Sequence, residues 1–409
     1  MNTSRWKFAV PTALISFLVL LFVDIAWIKS NAWFHMPAKP FSDAPDYESM
    51  GWGLSHGLGL SSHFSDPDWR YAYANTHSEL YTNWSPPNRP IVPRTDRPPL
   101  LPVVIAAIYS LLGVNTTAFA TIRIFLAFCL ATAGALSVFI TYLLADRIRP
   151  LGTSTASSKL ASHYGPLVAS LICFVVTLMD GNIKTYMEDF LTELPSLLLT
   201  QLFVLSLLIA TATQRPKWSL AFAGLIFGFM FYARSLFILW TPALLIVLAL
   251  LRYLSLRVDE PELSSRTRFW RASREPLVMF AVTLLVIAPW CIRNCIVLHT
   301  WMPLGTKGPI TLLGGYCDEA FDNAGNWQNM PERYWRNVLE KSFGSDLETS
   351  PQANLQLELE LVHIARREVK TWIGNNLDKL PALVAKRIYT HFNPYHGLSA
   401  LAKLVALFG

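Results

Sequence analysis

The chain has 409 residues, of which 52% are apolar and only 15% charged, with a mean hydropathy of +0.34. Soluble domains carry about 25% charged residues, so this composition excludes an ordinary water-soluble protein and calls for lipid over much of the surface. The net charge of +6 is not a nucleic-acid signature, because the basic residues fall mostly in short loops between apolar runs, where they set membrane topology.

In chain order, Arg5 and Lys7 precede an apolar run from Phe8 to about Ile28. At about 20 residues it is long enough to cross a bilayer and too long for a cleaved signal peptide, so it reads as a retained first span with a cytoplasmic N-terminus. Apolar runs at 120–144, 165–180, 191–211, 218–234, 235–251 and 276–293 predict six further crossings. The cytoplasmic loops then hold Arg147, Arg149 and Lys159, next Arg215 and Lys217, and finally Arg252, Arg257, Arg266, Arg268, Arg271 and Arg274. The short outward turns hold little beyond Lys184 and Arg234. This asymmetry is the positive-inside pattern. It places a tight outward hairpin at Arg234-Ser235, inside the apolar stretch 218–251. It also makes Leu100–Val114, short for a span at about 15 residues, a helix that dips into the outer face. A crossing there would put the arginine-rich segment 252–276 outside.

The predicted fold is an all-α polytopic membrane protein with about seven transmembrane helices and interfacial amphipathic helices. Its parts are a first span (1–28), an extracytoplasmic loop (29–119), a membrane helical region (120–293) and an extracytoplasmic C-terminal region (294–409). Within the loop, Tyr47, Met50, Leu54 and Leu58 recur at helical spacing and predict a short amphipathic helix lying on the bilayer surface. Helical patterning runs through 352–390, and a final apolar run, Leu398–Phe408, could re-enter the membrane. Of the five cysteines, Cys129 and Cys173 sit inside apolar runs, and no zinc or C-x-x-C spacing occurs. A Cys295–Cys317 disulfide is an option on an oxidising side.

This topology brings Asp43, Asp46, Asp96, Arg97, Asp180, Glu188, Glu193, Arg234, Arg293 and Asn294 to one membrane face, with no charge in the middle of a predicted span. A transporter generally needs ionisable groups near the bilayer midplane, whereas an enzyme acting on a lipid phosphate needs carboxylates and cations at headgroup level. Plainer roles compete for each residue. Ser42 or Asp43 could cap the helix that follows. Arg234 and Arg293 could be anchors reaching for lipid phosphates. Glu193 could complement a helix dipole, and Pro289-Trp290 could mark a kink beside an interfacial tryptophan. His35, His56, His63 and His77 show no ligand spacing and read as loop residues.

The run Asp43-Ala-Pro-Asp-Tyr47, followed by Leu54 and Gly57, resembles the first-loop D-x-x-x-Y…L-x-x-G signature of the C-type (GT-C) membrane glycosyltransferases. That group includes protein O-mannosyltransferases and lipid A aminoarabinose transferases. Arg97-Pro98-Pro99-Leu100 through Leu112-Gly113, Thr192-Glu193, Gly228 to Arg234, and Pro289-Trp290-Cys-Ile-Arg293-Asn294 with Gly314-Gly315 after it are similar to later motifs of that family, in its order. The resemblance covers about residues 1–320. The family commonly has alanine where Gly51 stands, a minor change. It usually continues with several more spans, which implies a reduced C-terminal part here.

The resemblance implies transfer of a sugar from a polyprenyl-phosphate donor to an acceptor hydroxyl, by inverting displacement, on the outer face of the inner (plasma) membrane. It assigns Asp43 as general base and Arg97, Arg234 and Arg293 to the leaving phosphate. Tyr47 would orient Asp43 or line the sugar pocket, and Asn294 completes the span-end motif. Asp96 and Glu193 would position the sugar or, with a divalent cation, the phosphate. No other cofactor is implied. The partners are the lipid donor, membrane lipids and an acceptor that the sequence leaves open. The competing class is a non-catalytic flippase or assembly partner. A phosphoethanolamine transferase would need a threonine nucleophile and a zinc cluster, which the sequence lacks.

Overall fold

A computed structural model describes residues 6–39, 42–64, 66–69, 91–147, 156–212, 216–328 and 351–392. Among the residues read from sequence, Arg5, Arg149, Arg215, His77 and the run Leu398–Phe408 lie outside these, as do the side chains of Lys159 and Lys217. Among the described residues the protein is mostly helical, with one two-residue antiparallel pairing in which Ser61 faces Pro93 and Ser62 faces Val92. Among the described residues, five helices are long and apolar enough to cross a membrane, or six if a pair bent by 54° at Asp180 counts as one span. Trp218–Ala233 is apolar but shorter. Two compact units emerge: residues 1–35 with 119–289, and residues 36–118 with 290–409.

The helical unit contains α1 (Trp6–Lys29) and, after a break in sequence, α4 (Thr116–Arg147), α5 (Ala156–Met179), α6 (Glu193–Ala212), α7 (Pro216–Ala233), α8 (Thr241–Asp259) and most of α9 (Ser265–Leu298). The arginine-rich segment 252–276 is not an open loop. It is mostly helix, because α8 runs on to Asp259 and α9 starts at Ser265 and continues through Pro276 and Pro289. Gly224 and Gly228 form a G-x-x-x-G stripe on α7 against α9, where a Cβ on Gly228 would sit 2.6 Å from Val286. That close approach lets Thr283 Oγ1 donate to the Gly224 carbonyl (3.0 Å) and Tyr232 Oη to the Val286 carbonyl (2.5 Å). Small residues and interhelical hydrogen bonds of this kind hold helices together where no hydrophobic force acts between them. The helix breaks at Arg234, whose backbone is extended, and a 3₁₀ segment Ser235–Trp240 leads into α8.

The second unit is built from α2 (Ala44–Ser55), β1 (Ser61–Ser62), β2 (Val92–Pro93), α3 (Leu100–Leu112), α10 (Lys307–Gly315), α11 (Pro351–Asn375) and α12 (Leu380–Phe392). The sequence expectation of a one-sided amphipathic helix at 47–58 needs correcting. Helix α2 ends at Ser55, Leu58 lies beyond it, and every residue from Tyr47 to Gly53 is buried against its own unit. Its closest partner is α3. A Cβ at Gly51 would stand 2.5 Å from Ile105 Cγ2, so alanine at this position is not a minor change in this chain. His63 is likewise no surface loop residue: it is buried beside Trp52, with Nδ1 3.3 Å from Asp66. Cys295 and Cys317 are free thiols, not a disulfide. The Cys317 sulfur instead accepts from the Ala320 amide at the start of a short turn of helix.

Candidate functional site

Asp43 stands at the N-cap position of α2, ahead of Pro45, but its side chain makes no capping bond. Ser42 Oγ accepts from the Ala44 amide instead, at 3.1 Å. The Asp43 carboxylate turns to Arg97, which grips it with two parallel bonds, Nη1 to Oδ2 at 2.7 Å and Nη2 to Oδ1 at 2.5 Å. Arg97 also donates through Nε (3.1 Å) and Nη2 (2.9 Å) to Asp46. Arg94 forks onto Asp96 at 2.8 and 2.9 Å and reaches Asp46 at 3.2 Å. Three carboxylates and two guanidiniums therefore form one network. Within it the Asp43 side chain is 54% exposed and Arg97 only 8%. A buried, doubly bonded arginine holds a carboxylate that faces outward.

The loop carrying Arg94, Asp96 and Arg97 is fixed from behind. The Arg94 amide continues the strand pairing to the Leu60 carbonyl. Arg293 donates to both the Arg94 carbonyl (2.8 Å) and the Leu60 carbonyl (2.9 Å) while resting over the Trp290 ring. Asn294, fully buried, donates to the Pro303 carbonyl and accepts from Arg293. Gly305, at φ +74°, presses against the Thr95 carbonyl where any Cβ would collide. This contact sets Thr306 and Lys307 beside the acids. Arg293 and Asn294 therefore brace the two loops that carry the charged residues, and the Arg293 fork engages backbone where the resemblance implies a phosphate. Tyr47 is buried with its ring 5.7 Å from the Arg97 guanidinium carbon, so it packs on the arginine. Glu193 and Arg234 belong to the helical unit, where they pair with each other at 3.2 Å.

Electrostatics follow from this packing. Burial pushes the Asp43 carboxyl up, but the hydrogen bonds and charge of Arg97 outweigh it and hold the group below its ordinary value. Asp96 feels strong burial, overcome by Arg94, Arg97 and Lys307, and falls to about 2. Burial opposes charge on Arg97 and Arg94 too, yet the surrounding carboxylates raise both above the usual arginine value. Lys307 is lowered by burial and by Arg97, against the pull of Asp43, Asp96 and Asp46. Among the described residues no hydrogen bond or ion pair closes on its ammonium. Glu358, on α11, accepts from Thr306 Oγ1 and is raised by burial and by the charge of Asp96 to about 7.

Arg94, Lys307 and Glu358 were not singled out by sequence reasoning. Arg94 stands three residues before Arg97, as Asp46 stands three after Asp43, and that doubled acid–base pattern was the available signal. Asp24, which faces Lys184 at 3.8 Å, and fully buried Arg123, bonded to the Glu188 carbonyl, were also passed over in the helical unit. Among the described residues, no three His, Cys, Asp or Glu side chains are placed to hold a metal ion. The acids of the network turn instead to guanidinium groups, so this donor set does not fit the divalent cation that the resemblance leaves open.

Glu358 yields a pH expectation. Its pKa rises from 4.5 to about 7 on folding, so the folded state holds the extra proton between those values and stability falls as pH rises through them. Glu358→Gln mimics the protonated form. The stability gap between wild type and variant, followed by thermal unfolding, should therefore move against wild type from about pH 4.5 to about pH 7 and then level off. A gap independent of pH would remove Glu358 from the network.

An open apolar groove runs between α10 and α11, lined by Pro309, Leu312, Ala365, Val369 and Ile373, with Arg366 and Lys370 also on its wall. It begins on α10 two residues from Lys307. Compared with protein families, curated proteins and solved structures, the chain finds no match. What the geometry defines is a helical protein with membrane-length apolar helices and a partly exposed carboxylate clasped by one buried arginine.

Proposed function

We propose that the protein is a membrane glycosyltransferase that moves a sugar from a polyprenyl-phosphate donor to an acceptor hydroxyl on the extracytoplasmic side, with inversion at the anomeric carbon. One observation carries the reading: Asp43 holds the first position of the motif that resembles the GT-C signature, and its carboxylate faces outward, uncapped and held in a two-bond grip by Arg97. In the reaction Asp43 takes the acceptor hydroxyl's proton as that oxygen bonds to the anomeric carbon. The bond from that carbon to the phosphate oxygen breaks, and the lipid phosphate leaves with the electron pair. Arg97 fixes Asp43 in orientation. Lys307, whose ammonium meets no bonding partner among the described residues, supplies the positive charge for the departing phosphate, and the groove beyond it suits an isoprenoid chain. This assignment replaces Arg97 and Arg293 as phosphate ligands, because both are already engaged within the protein.

The reading is tested by incubating reconstituted protein with radiolabelled polyprenyl-phosphate sugars and following release of the labelled sugar from lipid. Release above a protein-free control supports it. Donor binding without release from any donor favours the non-catalytic partner instead, for which a charge cluster closed on itself would be a structural clasp.

The assigned side of the membrane has its own check. Glu262→Cys, at an exposed position between α8 and α9, should be shielded from an impermeant thiol reagent in intact cells, while exposed Asn326→Cys should react. Gly325 is unsuitable for this purpose, being buried at φ +83° against Arg387. Labelling at 262 would overturn the orientation.

A further inference from the structure

Helix α12 is inside out by the standard of a water-facing helix. Its lysine and arginine, Lys386 and Arg387, point into the protein and are taken up there. Lys386 Nζ donates to the Phe321 carbonyl at 2.7 Å and lies over the Phe321 ring. Arg387 donates to the carbonyls of Gly325 and Gly315 and stacks on Tyr316. Thr390 bonds the Ala324 carbonyl, and Leu383, 1% exposed, plugs the same side. These contacts use the helix to fasten the segment 315–325. The opposite side carries Pro381, Ala382, Val384, Ala385, Ile388 and Tyr389, all exposed and none charged. Val384, Ile388 and Tyr389 are 53, 55 and 63% exposed. At about 100° per residue they form one continuous stripe.

A solvated helix places its charges outward and its apolar stripe inward; here the arrangement is reversed. We infer that the outward face of α12 lies on the lipid bilayer, buried among the acyl chains at the interface. Three observations favour lipid over a protein partner. Among the described residues five helices are apolar and long enough to cross a membrane, so lipid is already a solvent for this protein. The sequence beyond α12 runs on into Leu398–Phe408, whose only charge is Lys403, an apolar stretch too short to span but suited to the interface. The stripe also has a tyrosine at its edge, the residue type favoured where headgroups meet acyl chains, and apart from that phenol its side chains carry neither charge nor hydrogen-bonding groups to give a protein partner specificity.

The test uses the full chain in vesicles of phosphatidylcholine and phosphatidylglycerol, in a background free of native cysteines. A fluorophore is attached through Val384→Cys, Ile388→Cys or Arg367→Cys. The last sits on α11 with 70% of the native side chain exposed and serves as the aqueous reference. Labels at 384 and 388 should lose most of their emission to nitroxides on the lipid acyl chains and be protected from iodide in the buffer. The label at 367 should behave in the opposite way. Quenching of 384 and 388 by iodide alone overturns the inference. So does insensitivity to both quenchers, which means the face is covered by protein. Energy transfer between differently labelled copies then identifies a second chain as the cover, and its absence identifies the protein's own segment 398–408. Two independent label positions, each checked for native elution in size-exclusion chromatography, keep the result readable if one variant misfolds.

Discussion

Asp43→Asn should abolish sugar transfer, by about 100-fold or more, while expression, membrane insertion and donor binding persist. Asparagine is nearly isosteric and caps helices as well as aspartate does, and the native side chain makes no capping bond to lose. Its carboxylate is more than half exposed, so neutralising it removes only a partly solvated ion pair with Arg97, a modest stability cost of about 1 kcal/mol. What asparagine cannot do is accept the acceptor's proton. Lys307→Gln makes the informative contrast, since it should weaken stabilisation of the departing phosphate and leave the base in place. The neighbouring Asp46→Asn is not a neutral control. Asp46 bonds both Arg97 and Arg94 from a mostly buried position, and its loss leaves two guanidiniums short of a carboxylate. That variant should lose stability first and activity as a consequence. Near-normal transfer by Asp43→Asn would end its assignment as base.

The helical architecture was legible because it rests on local pattern: unbroken apolar runs long enough for a bilayer, separated by basic segments. Local pattern also found the break at Arg234 and the short, separate apolar helix at Leu100–Leu112. Helix extents were less legible. Nothing in an arginine-rich stretch says whether it is a loop or a helix rising out of lipid, and 252–276 turned out mostly helical. The site was half visible. Asp43 and Arg97 carry motif positions, Asp96 stands next to the second, and the three do meet at Arg97. Arg293 and Asn294 have motif positions too, but their side chains brace loops, a distinction that depends on which carbonyls lie within reach. Lys307 and Glu358 join from positions more than 200 residues away. Glu358 sits in the run Leu-Glu-Leu-Glu-Leu, which reads as the ordinary edge of an amphipathic helix. Only tertiary packing makes that glutamate different from Glu360.

Arg97→Met should be the most destabilising single change at the site, costing about 3–5 kcal/mol because it leaves carboxylates buried without their partner. Arg97 bonds Asp43 and Asp46 and lies 3.5 Å from Asp96, so its removal sets three negative charges against one remaining guanidinium and Lys307. The loss should appear as a lower unfolding temperature in detergent. Arg97→Lys separates folding from function. A lysine keeps the charge and most of the stability, but its single ammonium cannot bond two carboxylates along parallel lines as the planar fork does. Asp43 would then be held by one point contact and free to turn about its χ angles. Misplacing a reacting group by about 1 Å can cost on the order of 100-fold in rate, so Arg97→Lys should fold nearly as well as wild type, bind donor, and turn over far more slowly. A double-mutant cycle with Asp43→Asn completes the argument. If Arg97 acts on catalysis through Asp43, the rate loss of Arg97→Lys should vanish once Asp43 is asparagine. Additive losses would mean that the arginine acts on the substrate directly. Equal activity in Arg97→Lys and wild type would reduce the two-bond grip to packing.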